Sequence, residues 1–243
     1  MVASNNGIYN TIGASISGVT NTLTVTNPSN TASSAARETI TVGGGSAGDP
    51  TTNWNVSGVT NWEAGIDNSD SDKWKLSNGT ALGTNDTIVA FTSGEVLKPR
   101  QPAFLATAAA EVNVTGDGTI AYMGATAAMT VVFDQSSDFA TNGIFTAPVT
   151  GIYTFSCLIS SSIPNVAFNA GNYYITTTAT SYFGARFNPF NIRNTGGGAG
   201  FVATWIVNMS AGDTAKVGTQ IAGSTKTIGI EAGVSFFCGS LLC

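Results

Sequence analysis

The chain has 243 residues, of which 42% are hydrophobic and only 9% charged; it has no histidine and a formal charge of −5. That apolar share excludes a chain disordered by composition, and nine basic residues without a cluster exclude nucleic acid and anionic membranes as expected partners. Ordinary soluble domains carry about 25% charged residues. Here Ser, Thr, Asn and Gly stand in their place, which suits an all-β protein whose strand edges are covered by neighbouring chains.

The N-terminal sequence is polar and rich in Asn and Gly, with neither the charged start and apolar core of a signal peptide nor a membrane-spanning run. Its first 30 or so residues are expected to gain order only against another protein. Ser17-Gly-Val-Thr-Asn21 recurs as Ser57-Gly-Val-Thr-Asn61, which reads either as a repeated strand-and-turn unit or as chance in a biased sequence. Alternation predicts strands at Leu23–Val25, Thr39–Val42, Val56–Ile66, Trp74–Leu76 and Thr87–Thr92, with at most one helical turn at Ser33–Glu38. Gly43–Gly48 and Asn78-Gly79 separate them.

Two prolines, Pro99 and Pro102, break the pattern and divide the chain into residues 1–97 and 98–243. The front part holds three basic and eight acidic side chains, so it carries the whole negative excess. It has five of the 23 aromatics: Tyr9, Trp54, Trp62, Trp74 and Phe91. The rear part can fill a core of its own; the front part is not expected to do so as a monomer.

In the rear part, Phe133 to Phe155 reads as strands folded on themselves, with Asn142-Gly143 as a tight turn. Gly151-x-Tyr153-x-Phe155 alternates like a strand with one buried face. Phe145, five residues, then Gly151, Tyr153 and Phe155, with Asp134 and Phe139 upstream and VSFFCGSLL at Val234–Leu242, resembles the C1q-like globular head. Pro102-Ala-Phe-Leu and the VTGDGT of Val114–Thr119 belong to the same likeness, which covers Gln101–Cys243. Cys157 departs from it by standing where an aromatic is usual, and the gap from Phe139 to Phe145 is one residue short, so a tighter turn is expected there.

The resemblance implies a ten-stranded jelly-roll sandwich of the tumour-necrosis-factor type that works as a homotrimer and binds rather than catalyses. It places the strand of Cys157 beside the last strand, which holds Cys238. The two thiols are then either neighbours in one sheet or separate buried thiols acting as small hydrophobes, the latter being favoured. Phe236 and Phe237 are expected near the trimer axis.

Asp49–Glu95, with Gly48-Asp-Pro50, the GIDNSDSDKWKL of Gly65–Leu76 and the later ALGTNDTI and TSGEV, resembles a module of phage tail fibres, which are trimers with β-rich shafts. No Gly-X-Y period is present, so the stalk is not collagen.

Chemistry finds little support. Without histidine there is no Ser-His-Asp triad, no Cys-His pair and no histidine metal site. Asp67, Asp70 and Asp72 could pair for glycoside cleavage or ligate calcium, but their spacing fits a polar hairpin loop and lacks the EF-hand order. No catalytic residue, metal or cofactor is therefore expected. Tyr173, Tyr174, Tyr182, Phe183, Phe187 and Phe190, with Arg186 and Arg193, form the candidate recognition surface. The alternative is that these aromatics fill the core and the subunit interface.

The expected protein is a trimeric virion fibre or spike, made without a signal peptide and not inserted in a membrane. Its front segment engages other virion proteins, and its head binds a host-surface glycan or protein. The structural alternatives are a head fibre, decoration or minor capsid protein, or the tip of a bacterial surface or spore filament.

Overall fold

The computed structural model describes residues 2–4, 7–9 and 22–243. The first copy of the Ser-Gly-Val-Thr-Asn repeat lies outside the described residues. The short strands β1 (Val2–Ser4) and β2 (Gly7–Tyr9) pair antiparallel. Residues 22–50 form no strand, so the alternation at Leu23–Val25 and Thr39–Val42 does not become a ladder, and Ser33–Glu38 is not helical. An alternating run of three or four residues is too short to hold a ladder by itself.

A five-stranded antiparallel meander follows: β3 (Thr51–Val56), β4 (Thr60–Asp67), β5 (Lys73–Asn78), β6 (Asp86–Ala90) and β7 (Val96–Leu97). The predicted strand Val56–Ile66 is split, because Gly58 (φ 73°) makes the turn between β3 and β4. The second Ser-Gly-Val-Thr-Asn copy therefore makes the hairpin turn with Ser57, Gly58 and Val59 and opens β4 with Thr60 and Asn61.

The rest of the chain is a β-sandwich. Its strands are β8 (Ala103–Thr107), β9 (Glu111–Thr115), β10 (Ile120–Tyr122), β11 (Thr130–Asp134), β12 (Phe139–Ala140), β13 (Ile144–Thr146) and β14 (Gly151–Leu158). There follow β15 (Ser161–Ser162), β16 (Ala170–Thr177), β17 (Ser181–Phe187), the short helix α1 (Pro189–Ile192), β18 (Gly198–Ala199), β19 (Val202–Met209), β20 (Thr214–Ala222), β21 (Ile228–Ile230) and β22 (Phe236–Leu241).

One sheet runs β11-β8-β22-β14-β19; the other runs β12-β13-β20-β16-β17, with β10 beside β20. The last strand, β22, sits in the centre of the first sheet between β8 and β14, as expected. Two packed five-strand paths with this crossing order make the head a jelly-roll sandwich, the fold that the resemblance implied.

Strict alternation builds the core. Tyr153, Phe155 and Cys157 point inward from β14, and Ala203, Trp205, Val207 and Met209 do so from β19. Phe104 stacks on Phe139 with ring centroids 4.5 Å apart and meets Phe237 edge-on at 5.0 Å. Phe139 pairs directly with Phe145 across the shortened hairpin, whose Gly143 (φ 82°) donates its N–H to the Ala140 carbonyl at 2.9 Å.

No ladder joins the meander to the sandwich among the described residues. They touch through the Pro99–Pro102 connection, where Arg100 donates to Asn85 at 2.6 Å and Gln135 donates to the Lys98 carbonyl at 2.6 Å. Among the described residues no helix is long and apolar enough to cross a membrane.

Candidate recognition surface

The two outward faces of the sandwich differ in chemistry. On the β11-β8-β22-β14-β19 sheet, cross-strand rows bring Val202, Leu158, Phe236 and Thr107 together, then Thr204, Ser156, Cys238 and Leu105, then Ile206, Thr154, Ser240 and Ala103. None of these side chains is charged, and Ile206 and Val202 are 70% and 58% exposed.

The other sheet turns outward a cluster of aromatic, amide and cationic groups. Register sets Gln220, Asn172 and Arg186 in one row and Tyr174 beside Phe183 in the next. The Arg186 guanidinium lies 4.6 Å from the Phe183 ring centre, and Phe183 meets Tyr174 at 4.8 Å. Tyr174 donates its hydroxyl to Gln220 Oε1 at 2.7 Å, and Asn172 Nδ2 donates to the same oxygen at 3.0 Å. Gln220 Nε2 in turn donates to the Gly118 carbonyl at 2.6 Å. Lys216 adds a second cation, 4.1 Å over Tyr122.

Asn169, Asn188 and Phe187 complete the rim of the shallow cleft beside Phe183. A flat ring carrying a guanidinium, beside fixed amides, can stack on a sugar face while donating to its hydroxyls, or can anchor a protein side chain.

Most of the candidate aromatics find other roles. Tyr173 is fully buried, with its hydroxyl donated to the Ile159 carbonyl and its ring against Phe187 and Phe201. It is therefore a core residue, a correction that follows from its place one residue before the outward Tyr174. Tyr174 is itself covered by its neighbours and supports the patch rather than offering its ring. Tyr182 is exposed but pairs with Ile175, on the core side of the edge strand β17, away from the cleft.

Arg193 stacks 4.0 Å over Phe190 and donates to the Ile163 carbonyl at 3.1 Å, so it ties two loops together outside the cleft. Sequence reasoning missed Asn172, Gln220, Lys216 and Tyr122. The register of β17, β16 and β20 brings Asn172 and Gln220 beside Phe183 and Arg186, whereas Lys216 and Tyr122 lie beyond the cleft by Thr176, and no local motif signals either placement.

The remaining expectations resolve by the same alternation. Phe237 is fully buried between the sheets and cannot line a trimer axis, whereas Phe236, its neighbour, lies on the uncharged outward face. Cys238 pairs with Ser156 and shares its outward face, while Cys157 points into the core; the thiols sit on opposite sides of the sheet and both are free. Burial pushes both thiols above the ordinary cysteine range.

Asp67 and Asp70 are bound to lysines. Lys75 Nζ lies 2.8 Å from Asp67, 2.7 Å from Asp70 and 3.3 Å from Asp86. Asp67 also accepts from Ser69 and Asp70 in its own turn, the polar hairpin loop expected.

No protein-family model and no curated protein matches this chain. Among solved structures it is similar to the globular domain of zebrafish complement 1qA protein, at 19% identity and a TM-score of 0.41, over 59% of this chain and 98% of that one. Murine APRIL at pH 8.0 is similar at 11% identity and a TM-score of 0.38, over 58% and 99%. PRD1 vertex protein P5 is similar at 8% identity and 0.43, over 59% and 98%.

Proposed function

We propose that this protein is a non-enzymatic, homotrimeric fibre or spike of a virus particle whose head binds a host-surface glycan or protein. The observation that carries the reading is the division of labour between the two faces of the head. The uncharged face of β8, β14, β19 and β22 is suited to burial against two further copies, because low charge leaves such a face unguarded in water. The opposite face, with Phe183, Arg186, Asn172 and Gln220, then points away from the axis and stays accessible. Three such patches on a trimer, and many trimers on a particle, raise a weak single contact to useful avidity. Absence of histidine and the ion pairing of Asp67 and Asp70 support binding over catalysis. The virion setting draws on the likeness of residues 49–95 to phage tail-fibre modules, with the front segment joined to other virion proteins.

The test uses the full chain. Assembled protein is applied to permissive cells and to a glycan array, beside Phe183→Ala and Arg186→Ala. Saturable binding lost in both variants, with mass and melting unchanged, is the expected result. Undiminished binding by the double variant would move the site elsewhere. No binding to any permissive host, with the head buried in the intact particle, would favour a decoration or minor capsid role.

A further inference from the structure

The meander at residues 51–97 is built inside out. Its cross-strand rows place Glu63 and Ser77 on one face, with Lys75 in the adjoining row and Asp67 beyond it. All four are buried, closed over by the turns at 68–72 and 79–85. The alternate rows hold Trp54 with Trp62, Ala64 with Leu76 and Ile88, and Ile66 with Trp74. That second face carries no charged side chain, and Trp54, Trp74 and Ile66 are 54%, 43% and 40% exposed. Three of the four tryptophans of the chain lie on it. Sheets normally bury the apolar face and wet the polar one. Among the described residues before 98 only Ala64, Leu82 and Val89 are buried apolar side chains, so this sheet has no apolar core of its own.

We infer that the tryptophan face of the meander is a second self-association surface, covered by the same face of other copies of this chain. Three observations favour a copy as the occupant. A wholly uncharged face calls for an uncharged partner, and its own copies present one in equal number. Asp67, Asp70 and Asp86, three of the eight acidic side chains that would repel copies of so acidic a segment, are bound to Lys75 on the far side. The face also adjoins the uncharged face of the head, since Val96 at its edge lines one groove with Ala103 and Ser240, with Lys98 the one charged side chain in it. The chain's own preceding segment brings Ile40 and the charged Glu38 to the rim of this face, beside Ile66 and Trp74, yet leaves both of these exposed.

This inference shares with the proposed function the premise of an oligomer, but it concerns a different surface, and the two can fail separately. Full-length protein carrying benzoylphenylalanine in place of Trp54, and separately in place of Phe236, is prepared as a mixture of isotopically light and heavy chains and irradiated. The expected result at 54 is light–heavy adducts to residues 54–96 of a second copy. Adducts at 236 without any at 54 would overturn this inference and keep the head interface. Adducts at 54 only to residues 22–50 of the same chain, to a different protein, or to nothing would overturn it as well. Adducts at 54 but none at 236 would sustain it and remove the head interface. Acrylamide quenching gives a check without substitution: tryptophan emission of the assembled wild-type protein should be shielded, and full accessibility would sink the inference.

Discussion

Lys75 Nζ sits 2.8 Å from Asp67 Oδ2, with both side chains only 4% exposed, on the buried face of a sheet whose other face is apolar and open. The ammonium satisfies two further carboxylates, and removing it would leave buried negative charge uncompensated. Lys75→Met is therefore expected to cost the meander about 3 kcal/mol or more. Urea unfolding followed by tryptophan emission measures this, because Trp62 and Trp74 flank the cluster in β4 and β5. A loss under about 0.5 kcal/mol would mean that the cluster is solvated in solution.

The same cluster sets a pH window. Hydrogen bonds from Lys73 and then Lys75 hold Asp70 down to about 2, and the hydrogen bond from Lys75 lowers Asp67. Carboxylates depressed in the folded state contribute stability above their unfolded value of about 3.9 and lose it as pH falls through the folded value. Burial alone would lower Lys75, but its three carboxylate partners more than offset that and raise it. Its contribution is therefore present below about pH 10.4 and lost only at higher pH. Hydrogen exchange of β4 and β5 should be insensitive to these groups between about pH 5 and 9, then loosen from about pH 4 to pH 2. A transition near pH 6 would contradict this assignment.

Phe237 and Phe236 are adjacent yet serve different purposes. Phe237→Ala removes a fully buried ring that meets Phe104, Phe139 and Phe155, and should cost about 3–5 kcal/mol of head stability. Phe236→Glu puts a charge on the uncharged outward face, and should lower the assembled mass while the head remains folded. Circular dichroism and light scattering separate the two outcomes. Equal loss of fold in both variants would refute the assigned sides.

How much of this was legible beforehand follows from period and length. The head could be read because its strands are long and alternate strictly: Tyr153, Phe155 and Cys157 declare one face of β14, and Asn142-Gly143 declares a turn. The same period of two separates Tyr173 from Tyr174 and Phe236 from Phe237, but sequence alone does not say which member of each pair faces inward. The candidate recognition patch was half visible. Phe183 and Arg186 are local and Asn172 faces Arg186 across one hairpin, whereas Gln220 reaches them only through its pairing with Asn172, 48 residues away. The inverted meander was hidden because a face holding Glu63, Lys75 and Asp67 in successive rows reads as the wet face until its closing turns are seen.

The thiols give an independent reading of the sheet. At pH 8, Ellman's reagent should label the exposed Cys243 quickly, Cys238 slowly, and Cys157 only after denaturation, because burial keeps its thiol protonated and out of reach. Mass analysis under non-reducing conditions should find no Cys157–Cys238 bridge. Finding one would require the two side chains to share a face, which their pairing partners, Phe237 and Ser156, forbid.

The last prediction concerns a residue that need not touch a ligand. Gln220 Oε1 accepts from both Tyr174 and Asn172, and Gln220 Nε2 donates to Gly118, so this one amide holds the floor of the cleft. Gln220→Leu leaves two donors without their acceptor, at about 1–3 kcal/mol of head stability. It also frees Tyr174 and Asn172 to move beneath Phe183 and Arg186. Ligand binding should therefore weaken by about tenfold or more, with assembled mass unchanged and both exposed groups still present. Gln220→Glu keeps the acceptor and loses the donation to Gly118, so it should retain more binding than the leucine variant. If Gln220→Leu bound as tightly as wild type, the floor would not position the site, and recognition would have to rest on Phe183 and Arg186 alone or lie elsewhere on the head.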